Sequence, residues 1–231
     1  MLNKKTSTKG ADTSSKRFDF AIALALVVIV LSFALSIFFY PVLPERMVSH
    51  WNFAGQPDGY SSKEIGLFLF PFLSMALVVL LYFVPFFDPY AKSVGHFRKY
   101  YNEFIAVFTA FFLYVQLLVI ALNIGLTLNM GQFFAPAFAL LFYSMGVLIS
   151  KSERNFFIGI RTPWTLYSEK IWNETHAFGS KLVKLSAVIC LFGLFLPQHA
   201  FAFILVPIII SLFAAMVYSY LKFRQEKKQA S

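Results

Sequence analysis

The sequence predicts an all-α integral membrane protein with six transmembrane helices and both termini in the cytoplasm. The 231-residue chain is 58% hydrophobic and only 13% charged, whereas an average soluble domain is about 25% charged. Its uncharged stretches are long enough for helices of about 20 apolar residues, the length that crosses a bilayer. Its basic residues gather in alternate loops, which is the pattern of the positive-inside rule.

The uncharged stretches divide into six spans, which lie in residues 20–40, 65–87, 104–150 and 185–221, the last two stretches holding two spans each. Polar breaks at 129–132 (NMGQ) and 197–200 (PQHA) separate the paired spans. The first stretch is interpreted as a retained span, because a long polar segment precedes it and no small-residue cleavage site follows.

The order of spans and loops predicts the organisation of the chain. It comprises a disordered basic cytoplasmic tail (1–19), the first span with a folded extracellular loop (20–64), spans two to four (65–150), a cytoplasmic loop with a short amphipathic helix (151–180), spans five and six (181–221) and a basic cytoplasmic tail (222–231). Of the 20 Lys and Arg residues, only Arg46 and Lys63 fall in the predicted outer loops. The net charge of +9 therefore reflects the basic cytoplasmic loops and tails, which we expect to attract anionic lipid. No direct binding of nucleic acid is expected.

The long outer loop between the first two spans is rich in turn-forming residues. Pro41 and Pro44 end the first helix and favour extended backbone. We expect turns at 53–55 (FAG) and at 56–60 (QPDGY), where Pro57 fixes φ and Asp and Gly suit the next positions. One interpretation is an interfacial loop in which His50 and Asp58 hydrogen-bond a turn. The other is a folded outer segment that meets a ligand.

The long inner loop begins a helix at a proline. Arg161-Thr-Pro-Trp predicts a break followed by a helix start, and Ser168 is a candidate N-cap. From there Thr175 and His176 lie three and four residues after Trp172, and Gly179 lies three after His176, so the four share one helix face. That face either packs against the other helices or carries functional side chains. The Arg161 guanidinium has the geometry to bind lipid phosphate or the carboxyl end of a helix.

Motifs for catalysis, metal binding and nucleotide binding are missing from the sequence. The four His residues lie at 50, 96, 176 and 199 and show no zinc-ligand spacing, and the single Cys190 lies within the fifth span. No charged residue lies at the centre of a span, which argues against ion-coupled transport. We therefore predict a protein that is not an enzyme and has no metal or cofactor.

Two long strings resemble the signature motifs of a known family. The string LPERMVSHWNFAGQPDGYSSK begins at Leu43, and NFFIGIRTPWTLYSEKIWNETHAFG begins at Asn155. Together they resemble the outer and inner motifs of the SdpI-type immunity proteins, which protect a bacterium from a secreted killing-factor peptide. The outer string departs from the family pattern at Val48, where the family often has Pro.

The resemblance implies a multi-pass protein of the bacterial cell membrane that confers immunity to a secreted hydrophobic toxin peptide. It also implies signalling by holding a cytoplasmic transcriptional repressor at the membrane. The implied outer peptide contacts are His50, Trp51, Asn52, Gly55, Pro57, Asp58 and Tyr60. The implied inner coupling or bracing residues are Asn155, Gly159, Arg161, Thr162, Pro163, Trp164, Thr165, Trp172, Thr175 and His176.

Three other functions stay open at this point. The first is a transporter or channel for a small or lipidic substrate, whose polar path would be lined by Ser32, Ser36, Ser74, Gln116, Asn123 or Ser144. Hydrogen bonding between helices explains such residues equally well. The others are an intramembrane enzyme and a structural membrane protein without a small ligand.

Overall fold

A computed structural model describes residues 19–230, the last of them by its backbone alone. Six helices are long and apolar enough to cross a membrane, so the all-α, six-span prediction is confirmed. They are α1 (Phe20–Phe39), α2 (Lys63–Phe83), α4 (Arg98–Asn123), α5 (Met130–Lys151), α7 (Glu169–Cys190) and α8 (Ala200–Ala230). Short helices α3 (Ala91–His96) and α6 (Pro163–Tyr167) lie between them. The predicted disordered tail lies outside the described residues except for Asp19, which caps α1.

The spans pack as two groups of three helices. Helices α1 and α2 pack on α4, and α5 and α8 pack on α7, while the α4–α5 contact joins the groups. One hydrophobic cluster fills the centre of the bundle around Leu67, Val119 and Ile204, and a second lies between Ala25, Ile105 and Leu148. Each helix thus buries one face inside the bundle and leaves large apolar side chains exposed on the other.

A polar cluster joins the three helices of the first group. Pro71 has no N–H, so the carbonyl of Leu67, four residues earlier in α2, loses its helical partner. Ser36 Oγ donates to that carbonyl at 2.7 Å, and Gln116 Nε2 lies 3.4 Å from it. Gln116 also accepts a hydrogen bond from Ser32 Oγ. The proline therefore creates an acceptor inside the bundle, and side chains of α1 and α4 satisfy it.

The loop after α1 folds into a β-hairpin, which the sequence did not predict. Strand β1 (Arg46–Trp51) pairs antiparallel with β2 (Pro57–Ser62), with irregular register between Val48 and Trp51. The turn predicted at 53–55 is correct, but the turn predicted at 56–60 is wrong, because that segment forms β2. Gly59 lies opposite His50, and a Cβ at Gly59 would come within 2.7 Å of the His50 Cβ. This glycine permits close approach of the strands.

Two predicted boundaries near the other end of the bundle also differ. Residues 169–180, expected as a short helix in a loop, form the first half of the continuous membrane helix α7. The face with Trp172 and His176 continues as a buried stripe to Cys190. The helix therefore runs without interruption past residue 180. The tail expected at 222–231 continues α8 as far as Ala230.

Candidate functional site

The two motif segments lie at opposite ends of the bundle, which we call the hairpin end and the basic end. At the hairpin end, His50 Nδ1 lies 2.5 Å from Asp58 Oδ1, and their side chains are 72% and 41% exposed. The Arg46 guanidinium lies 5.1 Å from the centre of the exposed Tyr60 ring. This pair and this ring are among the outer-motif side chains that face solvent.

Trp51 and Asn52, also predicted as ligand contacts, are used within the hairpin. The Trp51 ring packs edge-on against Phe134 of α5 at 6.0 Å. Asn52 Oδ1 accepts hydrogen bonds from the N–H groups of Ala54 and Gln56, each at 3.0 Å. This bonding pattern is that of an Asx turn. These two residues therefore fold and anchor the hairpin.

Side chains from the bundle hold strand β1 in place. Asn123, the last residue of α4, accepts from the Val48 N–H at 2.8 Å and donates to the Val48 carbonyl at 3.2 Å. The Met47 side chain is fully buried against Gly66 of α2, where a Cβ would come within 3.1 Å of three of its atoms. At the hairpin base, the buried Lys63 ammonium lies 2.7 Å from Glu45.

The tip of the hairpin rests on the turn between α4 and α5. Asn129 accepts from the Gln132 N–H as the N-cap of α5, and its Nδ2 donates to the Ala54 carbonyl at 3.3 Å. Gly55 has φ +77, and a Cβ there would lie 2.6 Å from Asn129 Oδ1. A cavity of about 520 Å³ opens beside this contact, and both Gly55 and Pro57 line it.

At the basic end, Asn155 organises the loop after α5. Its side chain is fully buried and makes four hydrogen bonds. Nδ2 donates to the carbonyls of Glu153 and Ile158, and Oδ1 accepts from the N–H groups of Phe157 and Ile158. One amide thus satisfies backbone groups that a buried loop would otherwise leave unpaired.

His176 joins this loop to α7. Its ring stacks on the Trp172 ring at 4.0 Å, Nδ1 lies 2.8 Å from the Trp172 carbonyl, and Nε2 lies 3.0 Å from the Ile160 nitrogen. A carbonyl only accepts and an N–H only donates, so these partners require the neutral imidazole with its proton on Nδ1. Trp172 Nε1 donates to the Ser152 carbonyl at 2.9 Å.

The segment around α6 attaches the loop to α8. Thr162 and Thr165 form a capping box, and the Thr162 hydroxyl lies 3.1 Å from Ser219 Oγ. Pro163 occupies the first turn of α6, where its missing N–H costs nothing. The Trp164 ring packs 5.1 Å from Tyr220.

Three other predicted inner residues lie in or against this loop. Arg161 is exposed and donates to the Phe156 carbonyl at 2.7 Å. Gly159 has φ +116 and lies against His176. Thr175 is buried, and its hydroxyl has no hydrogen-bond partner within the described residues.

Several residues of these two clusters escaped the sequence-based prediction. Asp88, which follows α2, accepts from the Phe156 N–H at 2.9 Å and so connects the second loop to the inner motif. Asn123 and Asn129 flank a short turn, and the sequence assigned Asn123 to a polar path. The two Asn residues at the ends of that turn were the only sequence signal for these contacts. Their hairpin partners are about 75 residues away in the chain.

The comparisons with known proteins fall on these two clusters. A family model described as the SdpI/YfhL protein family matches residues 151–219. A second model, a domain of unknown function called DUF1648, matches residues 27–75 and so includes the hairpin. The chain is also 26% identical over 203 residues to "Immunity protein SdpI" of Bacillus subtilis (strain 168), covering 85% of this chain and 93% of that protein.

The chain resembles the SdpI-type proteins. The similarity extends over 93% of the Bacillus subtilis protein. Together with the six apolar helices, it makes the chain a multi-pass bacterial membrane protein. No solved structure matches the chain.

Proposed function

We propose that this SdpI-type protein is a membrane immunity protein that protects the producing cell against a secreted hydrophobic killing-factor peptide. The observation that carries the proposal is the similarity to "Immunity protein SdpI" over 85% of the chain. The two family models add support, because their matches include the hairpin and the inner motif.

We propose that protection works by binding the peptide and not by catalysis. The exposed side chains of the outer motif include a His–Asp pair, a Tyr and an Arg, which suit recognition of polar groups. Within residues 19–230, no three His, Cys, Asp or Glu side chains converge on one point. The hairpin is held to the bundle at its base, its edge and its tip, so its exposed groups are fixed before a peptide arrives.

The inner motif suits bracing of the bundle. Its buried polar side chains bond mostly to the loop's own backbone and to α7 and α8. Exposed groups such as Arg161 and Tyr167 supply a separate surface on which a cytoplasmic partner would dock. The repressor and anionic lipid stay predictions from the family resemblance and from charge.

The transport alternative gains little from the arrangement of its predicted path. Ser32, Ser36 and Gln116 bond to one another and to the carbonyl of Leu67. Asn123 holds the hairpin, and Ser144 donates to a carbonyl of its own helix. These groups therefore serve packing of the spans and attachment of the loop, as polar residues between membrane helices commonly do.

A survival assay tests the proposed function. A sensitive Gram-positive host expresses the wild type and is challenged with the killing-factor peptide. We expect the peptide concentration that halves growth to rise at least tenfold. A His50→Ala/Asp58→Ala double variant, at matched membrane abundance, should lose this protection because it removes the exposed His–Asp pair.

The chain offers a matched control for this variant. His96 and Glu153 form a second exposed pair at 2.8 Å at the basic end, and His96→Ala/Glu153→Ala should protect like the wild type. If the wild type does not protect, the immunity proposal is wrong. If both double variants protect fully, immunity stands and recognition does not depend on the His50–Asp58 pair.

A further inference from the structure

The cavity beside the hairpin tip has the composition of an apolar binding pocket. Its volume of about 520 Å³ lies within the range of ligand pockets, roughly 300–1,000 Å³. The hairpin contributes Gly55, Gln56 and Pro57, and the α4–α5 turn contributes Leu122 and residues 125–129. No charged side chain is among these lining residues. The pocket therefore suits an uncharged, apolar group.

The turn that lines this cavity also offers unpaired backbone groups. Residues 126–129 belong to no helix or strand. Within the described residues, the backbone N–H and C=O groups of Thr127 and Leu128 have no hydrogen-bond partner in the protein, nor has the Thr127 hydroxyl. Gln56 Nε2 is likewise without an acceptor there. Backbone donors and acceptors without a partner in the protein are the groups that can pair with an incoming peptide chain.

We propose that this cavity, which we call the tip pocket, binds an apolar side chain of the killing-factor peptide, while the backbone at Thr127 and Leu128 pairs with an extended stretch of that peptide. A lipid acyl chain would fill the apolar volume but would leave these amides and carbonyls unused. A peptide uses both. This inference rests on the proposed immunity function and names the site where recognition takes place.

Residues of the outer motif shape and line the tip pocket. Asn52 shapes the turn that presents Gly55, and Asn129 fixes that turn by its bond to the Ala54 carbonyl. Gly55 and Pro57 then form one wall of the pocket. The tip of the motif therefore builds the wall, and the exposed His50–Asp58 pair lies on the same hairpin. Recognition needs the α4–α5 turn as well, although no motif marks it.

A filling variant and a matched control test the tip pocket. Thr127→Trp places a large side chain at a residue that lines the cavity, whereas Ile124→Trp places it at an exposed residue of the same turn that does not line it. The probe is the synthetic killing-factor peptide carrying a fluorophore, titrated into each purified full-length protein in detergent. We expect at least tenfold weaker binding for Thr127→Trp and unchanged binding for Ile124→Trp.

A crosslinking arm identifies the occupant. A photoreactive phenylalanine at position 126, an exposed lining residue, should capture the peptide in membranes. Capture of lipid alone or of a second copy of the chain overturns the proposal, as does unchanged binding by Thr127→Trp. The survival assay separates the two failures. Protection by the wild type without peptide binding at this pocket refutes the pocket and leaves immunity intact, whereas a wild type that neither binds the peptide nor protects the cell refutes both.

Discussion

Gly159 shows at the scale of one residue how closely the inner loop packs on α7. Its φ of +116 lies where L side chains are strained, and a Cβ there would contact His176 Nε2 and Ser152 Oγ. The same imidazole nitrogen accepts from the Ile160 N–H. A methyl group at this position would therefore disturb both the backbone and the histidine that joins the loop to the helix.

We predict that Gly159→Ala lowers the stability of the protein by at least about 2 kcal/mol, since backbone strain of this kind costs about 1–3 kcal/mol before any displacement of His176 is added. The measurement is the midpoint of thermal unfolding in detergent. Gly95→Ala is the control, because a Cβ there meets nothing within 4 Å inside α3. That change should leave the midpoint unchanged or raise it slightly.

Val48 is a second example at the residue scale, because its N–H makes a hydrogen bond that Pro could not make. The family pattern often has Pro at this position, and Pro has no N–H to donate. In this chain the Val48 N–H donates to Asn123 Oδ1. The departure from the pattern therefore permits a hydrogen bond between the hairpin and α4.

At the scale of one element, the hairpin depends on side chains that lie far away in the sequence. A two-stranded hairpin by itself is marginally stable in water. This hairpin is stabilised by the buried Met47, by the buried Lys63 with its Glu45 partner, and by the Asn123 amide, which bonds to Val48 of β1. The hairpin is therefore a part of the bundle, and its order should fall when these contacts are removed.

We predict that Asn123→Leu loosens the hairpin without unfolding the bundle. The variant removes both hydrogen bonds to Val48, each of which contributes roughly 0.5–1.5 kcal/mol. Amide hydrogen exchange in residues 46–62 should therefore accelerate about tenfold, while exchange in α5 and α7 stays unchanged. Asn173→Leu, at an exposed position of α7, should change neither. Equal acceleration across all spans would contradict a local role for Asn123.

At the scale of the whole molecule, the number of basic residues distinguishes the two ends of the bundle. At the basic end, basic side chains lie over aromatic rings in the pairs Arg98–Tyr82, Arg154–Tyr90, Lys151–Tyr100 and Lys222–Tyr218. Aromatic rings favour the headgroup regions of both leaflets, whereas an excess of Lys and Arg favours the cytoplasmic side. This end is therefore expected to face the cytoplasm.

Cysteine labelling in whole cells tests this orientation. In a Cys190→Ala background, a membrane-impermeant maleimide should label Phe53→Cys at the hairpin tip in intact cells. It should label Phe157→Cys in the inner loop only after lysis, since both side chains are exposed but at opposite ends. Labelling of position 157 in intact cells, with position 53 protected, would reverse the topology and place the tip pocket in the cytoplasm.

The sequence by itself determined the membrane class, the six spans and the position of both motifs, because hydropathy, charge and turn residues act over short stretches of chain. It did not determine that the outer loop is a hairpin, that the helix after Ser168 continues unbroken as the fifth span, or that Asn123 and Asn129 hold the hairpin. The contacts of these two Asn residues join partners about 75 residues apart. Only tertiary structure brought Gly55 and Pro57 against the α4–α5 turn to form a pocket, since neither segment encloses a volume alone.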